Sequence, residues 1–185
     1  MFPGDSNSDL GQIRDPRRIV TKTTALFEKK FGYTDPKILG AGSFGVVFSL
    51  RHPVEEDRIA IKCVYLDEVR KGEKEIWSGL EHPNIVPLLR YTEFRKINVA
   101  CFEMHAYSND LTNIVKQDEF LTSSEALQQL KTWFYQVLRG LNFLHIRQLC
   151  HLDLKHDNIF ISGKMSRAII GDFTFLSQTT SNIGR

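Results

Sequence analysis

Asp153, Lys155 and Asn158 lie within six residues of one another in Cys150-His151-Leu152-Asp153-Leu154-Lys155-His156-Asp157-Asn158-Ile159-Phe160. Their side chains have complementary capacities. An Asp takes or orients the proton of a hydroxyl group. A Lys neutralises a nearby phosphate. An Asn presents a carbonyl oxygen to a hard metal ion. A further acidic candidate, Asp172, follows in Gly171-Asp172-Phe173-Thr174. Upstream, Lys62 interrupts the apolar run Ile59-Ala60-Ile61-Lys62-Cys63-Val64, where an ammonium group is costly unless paired. Gly40-Ala41-Gly42-Ser43-Phe44-Gly45 spaces its glycines as G-x-G-x-x-G. That pattern lets backbone N–H groups approach phosphates without Cβ obstruction.

These residues need elements to position them. A dinucleotide-binding fold shares the glycine spacing, but there the glycines open a helix. Here Val46-Val47-Phe48 follows, a β-branched and aromatic run that reads as a strand. Strand, glycine loop and strand therefore predict a hairpin, with residues 58–64 as the next strand. A solvent-facing strand position is the plainer reading of Lys62. The hairpin before it, and Ala60-Ile61, favour the functional one. Val69, Glu73, Ile76, Trp77 and Leu80 recur on one helical face, which puts Glu73 inward and Glu75 elsewhere. Gly72 weakens the first turn of that helix. Residues 81–89 close it and start a strand; residues 97–104 predict another, buried one.

Asp110-Leu111-Thr112-Asn113-Ile114-Val115 reads as a short helix. After Ser123-Ser124-Glu125 a long helix runs to about His145. It carries two apolar stripes. One is Leu127, Leu130, Phe134, Leu138, Leu141 and Leu144; the other is Ala126, Trp133, Val137 and Gly140. A helix apolar on more than one face is normally buried in a larger domain. Two short strands, 159–161 and 168–170, flank Ser162-Gly163-Lys164, and the second delivers Asp172.

Composition limits the alternatives. With 42% apolar and 25% charged residues, the 185-residue chain is expected to fold around a core. A net charge of only +2 argues against a dedicated nucleic-acid binder. No apolar run reaches membrane-spanning length, and the polar start is no signal peptide. Cys63, Cys101 and Cys150 are far apart among apolar residues, with no C-x-x-C, and read as reduced, buried thiols of an intracellular protein, cytoplasmic or nuclear. Residues 1–30 are expected to be a flexible polar leader.

In chain order, G-A-G-S-F-G-V-V, A-I-K, Glu73, H-P-N-I-V, H-L-D-L-K-H-D-N and D-F-T resemble the eukaryotic protein kinase family, serine/threonine type, over about residues 31 to 185. The resemblance implies an α+β, two-lobed fold. An antiparallel β small lobe with one regulatory helix would span 31–105, and an incomplete, mainly helical large lobe 106–185. It implies ATP- and magnesium-dependent transfer of the γ-phosphate to Ser/Thr hydroxyls of a protein substrate. The roles it implies are specific. Gly40, Ala41, Gly42, Ser43, Phe44 and Gly45 would cover the phosphates. Val47, Ala60 and Phe160 would hold adenine, with backbone contacts from Glu103 to His105 and Phe102 as gatekeeper. Lys62 would hold the α- and β-phosphates and pair with Glu73. Asp153 would be the catalytic base and Lys155 would neutralise the γ-phosphate. Asn158 and Asp172 would hold Mg2+. His151, Phe173, Trp77 and Leu88 would have packing roles.

Three departures carry expectations of their own. Leu152 replaces the Arg that meets an activation-loop phosphate, so activity is expected not to depend on phosphorylation of Ser177, Thr179, Thr180 or Ser181. Thr174 replaces the Gly of D-F-G, which implies altered switching rather than lost catalysis. The chain stops thirteen residues after Asp172, so a truncated domain of low stability is expected, with an exposed apolar patch on the long helix. The alternative function is a catalytically inactive fragment that binds nucleotide or a partner.

Overall fold

A computed structural model describes residues 15–42, 45–54, 57–163 and 166–178. They divide into two compact units. One comprises the described residues up to Val69 together with Leu89–Ala106; the other comprises Arg70–Leu88 and the described residues from Tyr107 onward.

The first unit begins with a helix where the sequence predicts an irregular leader. Helix α1 spans Pro16–Phe31. Asp15 caps it, its carboxylate accepting from the Arg17 N–H at 3.0 Å, and Pro16 occupies the first turn, where its missing N–H costs nothing. Gly32 ends it at φ 75°, donating to Glu28 O at 2.9 Å. Lys29 and Lys30 sit in the last turn, matching the helix dipole. The buried stripe is only Val20, Thr23 and Phe27. A stripe that narrow, with a Thr in it, gives little apolar period in an otherwise polar segment. Residues 1–14 of the expected leader lie outside the described residues.

Behind α1 stands a five-stranded antiparallel sheet, β1 (Thr34–Gly42), β2 (Gly45–Arg51), β3 (Arg58–Tyr65), β4 (Arg90–Phe94) and β5 (Val99–His105), ordered β1-β2-β3-β5-β4. Alternation sorts its two faces. Phe48, Leu50, Ile61, Val99 and Cys101 are buried in one cluster with Phe27 of α1. Cross-strand pairing puts Val47, Lys62, Phe102 and Tyr91 in a row on the opposite face. Strand β1 is exposed throughout and irregular in register around Asp35, which adopts φ 55°. Arg58 holds it there, pairing with the Asp35 carboxylate at 2.6 Å and donating to the Ser49 hydroxyl at 2.9 Å. Cys63 and Cys101 are buried free thiols as expected, whereas Cys150 is only half-buried because its two-residue strand lies near the surface.

The second unit contains α2 (Glu73–Ser78), α3 (Leu111–Ile114), α4 (Asp118–Leu121) and α5 (Ala126–His145). A three-stranded sheet is ordered β6 (Asn109–Asp110), β8 (Ile159–Ser162) and β9 (Arg167–Ile170). Strands β7 (Leu149–Cys150) and β10 (Ser177–Gln178) pair separately. Helix α2 is shorter than the period from Val69 to Leu80 predicts. Gly72 at φ 83° starts it and Gly79 ends it, so Val69 and Leu80 lie outside. Residues 85–86 do not open a strand as predicted. Instead Ile85 bridges Ile170 in parallel, and Val86 N–H donates to Ile170 O at 2.8 Å.

Asn84 is the pin of this unit. Its side-chain amide donates to Ala168 O at 2.8 Å, and its carbonyl accepts from Ile170 N at 2.9 Å. Gly140 of α5 packs against the same carbonyl so closely that an added Cβ would lie 2.9 Å from it. Gln136, one turn earlier, accepts from Ala168 N at 2.6 Å and donates to Ser166 O at 3.1 Å. These contacts select which face of α5 is buried: Trp133, Val137 and Gly140 of one stripe go inside, joined by Leu144 from the end of the other. Leu127, Leu130, Phe134 and Leu138 of the other stripe are exposed. The α+β class read from the sequence is the class found.

Candidate active site

Each unit carries part of the predicted constellation. In the first, Gly40, Ala41 and Gly42 lie on exposed β1, and nothing stands within 4 Å of where a Cβ on Gly40 or Gly42 would be. Ser43 and Phe44 lie outside the described residues. Gly45 is different: at φ +114° its Cβ would fall 2.1 Å from Cys63 O, so the turn into β2 admits only glycine. Val47, Ala60 and Lys62 share the face opposite α1, where the Lys62 ammonium stands 6.0 Å from the Phe102 ring centre. Lys62 is buried.

Glu103 turns its side chain the other way. It pairs across β5 with Ile61 and Arg90, and its carboxylate meets Arg90 at 3.8 Å and the Thr92 hydroxyl at 3.5 Å. Burial pushes this carboxyl above its ordinary range, with Arg90 opposing the rise. With its side chain turned away, Glu103 has only backbone groups for the predicted hinge, and its carbonyl accepts from Leu89 N at 2.8 Å. His105 is exposed at the end of β5.

The second unit gathers the residues of the predicted catalytic loop. Lys155 Nζ lies 3.0 Å from Asp153 Oδ2. That bond holds the Lys155 ammonium above its usual range. Asn158 is buried and gives its amide to Asp153, at 2.8 Å to the carbonyl and 3.1 Å to Oδ2. This turns the Asn158 carbonyl oxygen away from Asp153. Gly171 N–H donates to Asn158 O at 2.9 Å, which brings the segment carrying Asp172 alongside the loop. A Cβ on Gly171 would strike Phe160 at 2.5 Å, so this approach also needs glycine. Phe160 is half-buried and stacks on Tyr107 at 5.3 Å.

His151 braces the loop from beneath. Its Nδ1 accepts from Asp153 N–H at 3.3 Å, which assigns the proton to Nε2, and Nε2 donates to Gly171 O at 2.9 Å. Burial lowers its pKa, against the pull of Gly171 O, Asp172 and Asp153. Both ring nitrogens are engaged, so His151 is a brace. The Phe173 ring lies between His151, at 5.5 Å, and Trp77, at 5.3 Å. Trp77 in turn donates to Val86 O at 2.8 Å. Glu73 is half-buried on α2, its Oε2 3.4 Å from Arg70 N, and Glu75 is exposed. Leu152, beside Asp153, adopts φ 62° with its side chain in solvent.

One feature of this site escaped the sequence reading. The Thr174 hydroxyl donates to Asp172 Oδ1 at 2.6 Å. A hydroxyl residue two positions after an acid is the available signal, since such side chains commonly fold back on local acceptors. Among the described residues no cluster of three or more His, Cys, Asp or Glu could hold a metal. The Asn158 oxygen and Asp172 carboxylate instead fit a hard cation that takes its remaining ligands from water and phosphate. No helix among the described residues is long and apolar enough to cross a membrane.

Comparison with known proteins finds a family match over most of the chain. The profile of the family described as "Protein kinase domain" matches residues 33–183. The chain is 30% identical over 169 residues to protein kinase gsk3 of Schizosaccharomyces pombe, covering 86% of this chain and 43% of that protein. It is 36% identical over 149 residues to the serine/threonine-protein kinase Wnk of Drosophila melanogaster, covering 74% of this chain and 6% of the relative. Against the serine/threonine-protein kinase Nek5 of Mus musculus the identity is 33%, over 74% of this chain and 22% of the relative. The chain thus spans less than half the length of these relatives.

Proposed function

The chain belongs to the protein kinase domain family, and on that premise we propose that it transfers the γ-phosphate of ATP to Ser/Thr hydroxyls of protein substrates. The observation that carries this reading is the Asp153 cluster. Asp153 lies 3.0 Å from the Lys155 ammonium, is oriented by Asn158 and is held from below by His151. In the proposed reaction a substrate hydroxyl oxygen bonds to the γ-phosphorus, its proton passes to an Asp153 oxygen, and ADP leaves. Lys155 neutralises charge on the transferring phosphoryl group. Asn158 and Asp172 hold Mg2+, which when bound offsets charge on the phosphates. Lys62 binds the α- and β-phosphates and pairs with Glu73. Gly40, Gly42 and Gly45 let backbone approach the phosphates, and Val47 and Ala60 give adenine an apolar face. The names of two relatives, both serine/threonine-protein kinases, support the hydroxyl class.

Asp153→Asn removes the base while keeping size and hydrogen bonding. Transfer from γ-labelled ATP to a mixed Ser/Thr peptide pool is expected to fall about a thousandfold. Equal transfer by parent and variant would reject catalysis at this site and favour the alternative, a nucleotide- or partner-binding protein. The exposed stripe of α5 is the observation on that side.

A further inference from the structure

The carboxylate of Asp172 is held by a residue not yet assigned any task. Thr174 Oγ1 donates to Asp172 Oδ1 at 2.6 Å, and Thr174 N reaches the same oxygen at 3.4 Å. Thr174 is buried, so little water competes for this contact. Its backbone sits in a turn closed by Leu176 N–H on Phe173 O at 3.1 Å. Among the described residues with positive φ, Asp172 appears at 58° and Thr174 does not. The β-branched side chain is therefore accommodated without left-handed strain, and the position has no need of glycine's freedom.

The backbone on the other side of Asp172 is equally fixed. Gly171 donates to Asn158 O and accepts from His151 Nε2, each at 2.9 Å. With both flanks tied, the remaining freedom of the carboxylate is rotation of its own side chain. The Thr174 hydroxyl restrains that rotation through Oδ1. A short O–H to carboxylate bond is charge-assisted, and it draws charge from the oxygen it occupies. That makes Oδ1 the poorer donor to a cation.

We infer that Thr174 is a positioning residue that presents Asp172 to a divalent cation through one oxygen. The inference rests on the reading of Asp172 as a cation ligand. One-oxygen ligation suits Mg2+ and Mn2+, which demand near-octahedral sites with short bonds; Ca2+ accepts a carboxylate through both oxygens. Thr174 thus both strengthens the site and biases it against the larger ion. A glycine here would retain only the long backbone contact.

The test uses the whole chain with ATP, and Mn2+ as an EPR-visible probe, followed by competition with Mg2+ and Ca2+. Thr174→Val removes the hydroxyl at nearly constant shape, and Thr174→Gly removes it without β-branching. Both should weaken Mn2+ binding about tenfold, the usual cost of losing a residue that orients a ligand. Both should also narrow the preference for Mg2+ over Ca2+. Thr174→Ser should stay within about twofold of the parent, a rescue that a purely structural role would not produce. If Val and Gly variants bind like the parent while Asp172→Asn loses Mn2+, the role of Thr174 is overturned and that of Asp172 stands. If Asp172→Asn also binds like the parent, or the parent binds no Mn2+, the ligand reading fails and takes this inference with it.

Discussion

His151 and His82 are both held below their ordinary pKa, in each case mainly because burial disfavours the charged ring. The unfolded chain therefore binds protons at a pH where the folded rings do not. Stability from these residues is present above about pH 6.5, the ordinary imidazole value, and is lost as pH falls through their lower folded values. Both histidines belong to the second unit, as do both tryptophans, Trp77 and Trp133. Tryptophan fluorescence during urea unfolding thus reports on the unit that titrates. The midpoint should fall between pH 7.5 and pH 5.5, and His151→Gln should flatten that fall. An unchanged or rising midpoint on acidification would remove the basis for treating His151 as a neutral brace. Glu103, whose pKa is raised by burial, acts in the opposite sense, but it lies in the first unit and escapes this readout.

At the scale of elements, α5 owes its placement to Gly140. Two effects compete there. Alanine favours a helix interior over glycine by about 1 kcal/mol. Against that, its methyl would stand 2.9 Å from Asn84 O and from Ile170 Cδ1. Asn84 is tied to β9 by two hydrogen bonds, so its carbonyl does not yield easily, whereas the Ile170 methyl can turn aside. Overpacking of this kind costs about 1–3 kcal/mol. Gly140→Ala is accordingly expected to destabilise the second unit by about 1 kcal/mol net, read as a lower urea midpoint by tryptophan fluorescence. A gain in stability would mean that propensity wins and that the segment around Asn84 gives way. The control is Gly79→Ala, whose added Cβ would meet its nearest neighbour at an ordinary 3.6 Å and which should be nearly neutral.

At the scale of the molecule, the exposed apolar stripe of α5 departs from an ordinary surface. Leu127, Phe134 and Tyr135 are each more than 60% exposed, and Leu130 and Phe134 line a groove of about 540 Å³ with Trp133, Val137, Leu154 and Ile159. Contiguous apolar surface of this kind drives association in water. Concentration-dependent self-association should be visible by sedimentation, and Phe134→Gln with Leu138→Gln should suppress it. Because both side chains are exposed, the double variant should keep the parent's urea midpoint to within about 0.5 kcal/mol. Persistent association, or a large loss of stability, would show that these residues are not the exposed surface described.

Several features could be read along the chain because they are local. The glycine pattern followed by a β-branched run predicts a hairpin. The strand around Lys62, the short helix capped by Asp110, the long helix α5 and the loop joining Asp153 to Asn158 each follow from neighbours in sequence. The order of those motifs is also what identifies the family, and order is a property of sequence alone. The candidate residues were legible for the same reason, although their roles remain proposals. What tertiary structure decided is non-local. Helix α1 was hidden because its buried stripe is three residues wide and gains its worth only against the sheet. Asn84 and Ile85 looked like the start of a strand, and contact with β9 claimed them instead. Two apolar faces of α5 were equal in the sequence; the close fit of Gly140 to Asn84 chose between them. The tautomer of His151 and the hydroxyl of Thr174 on Asp172 depend on where backbone atoms meet after folding, and periodicity carries no record of that.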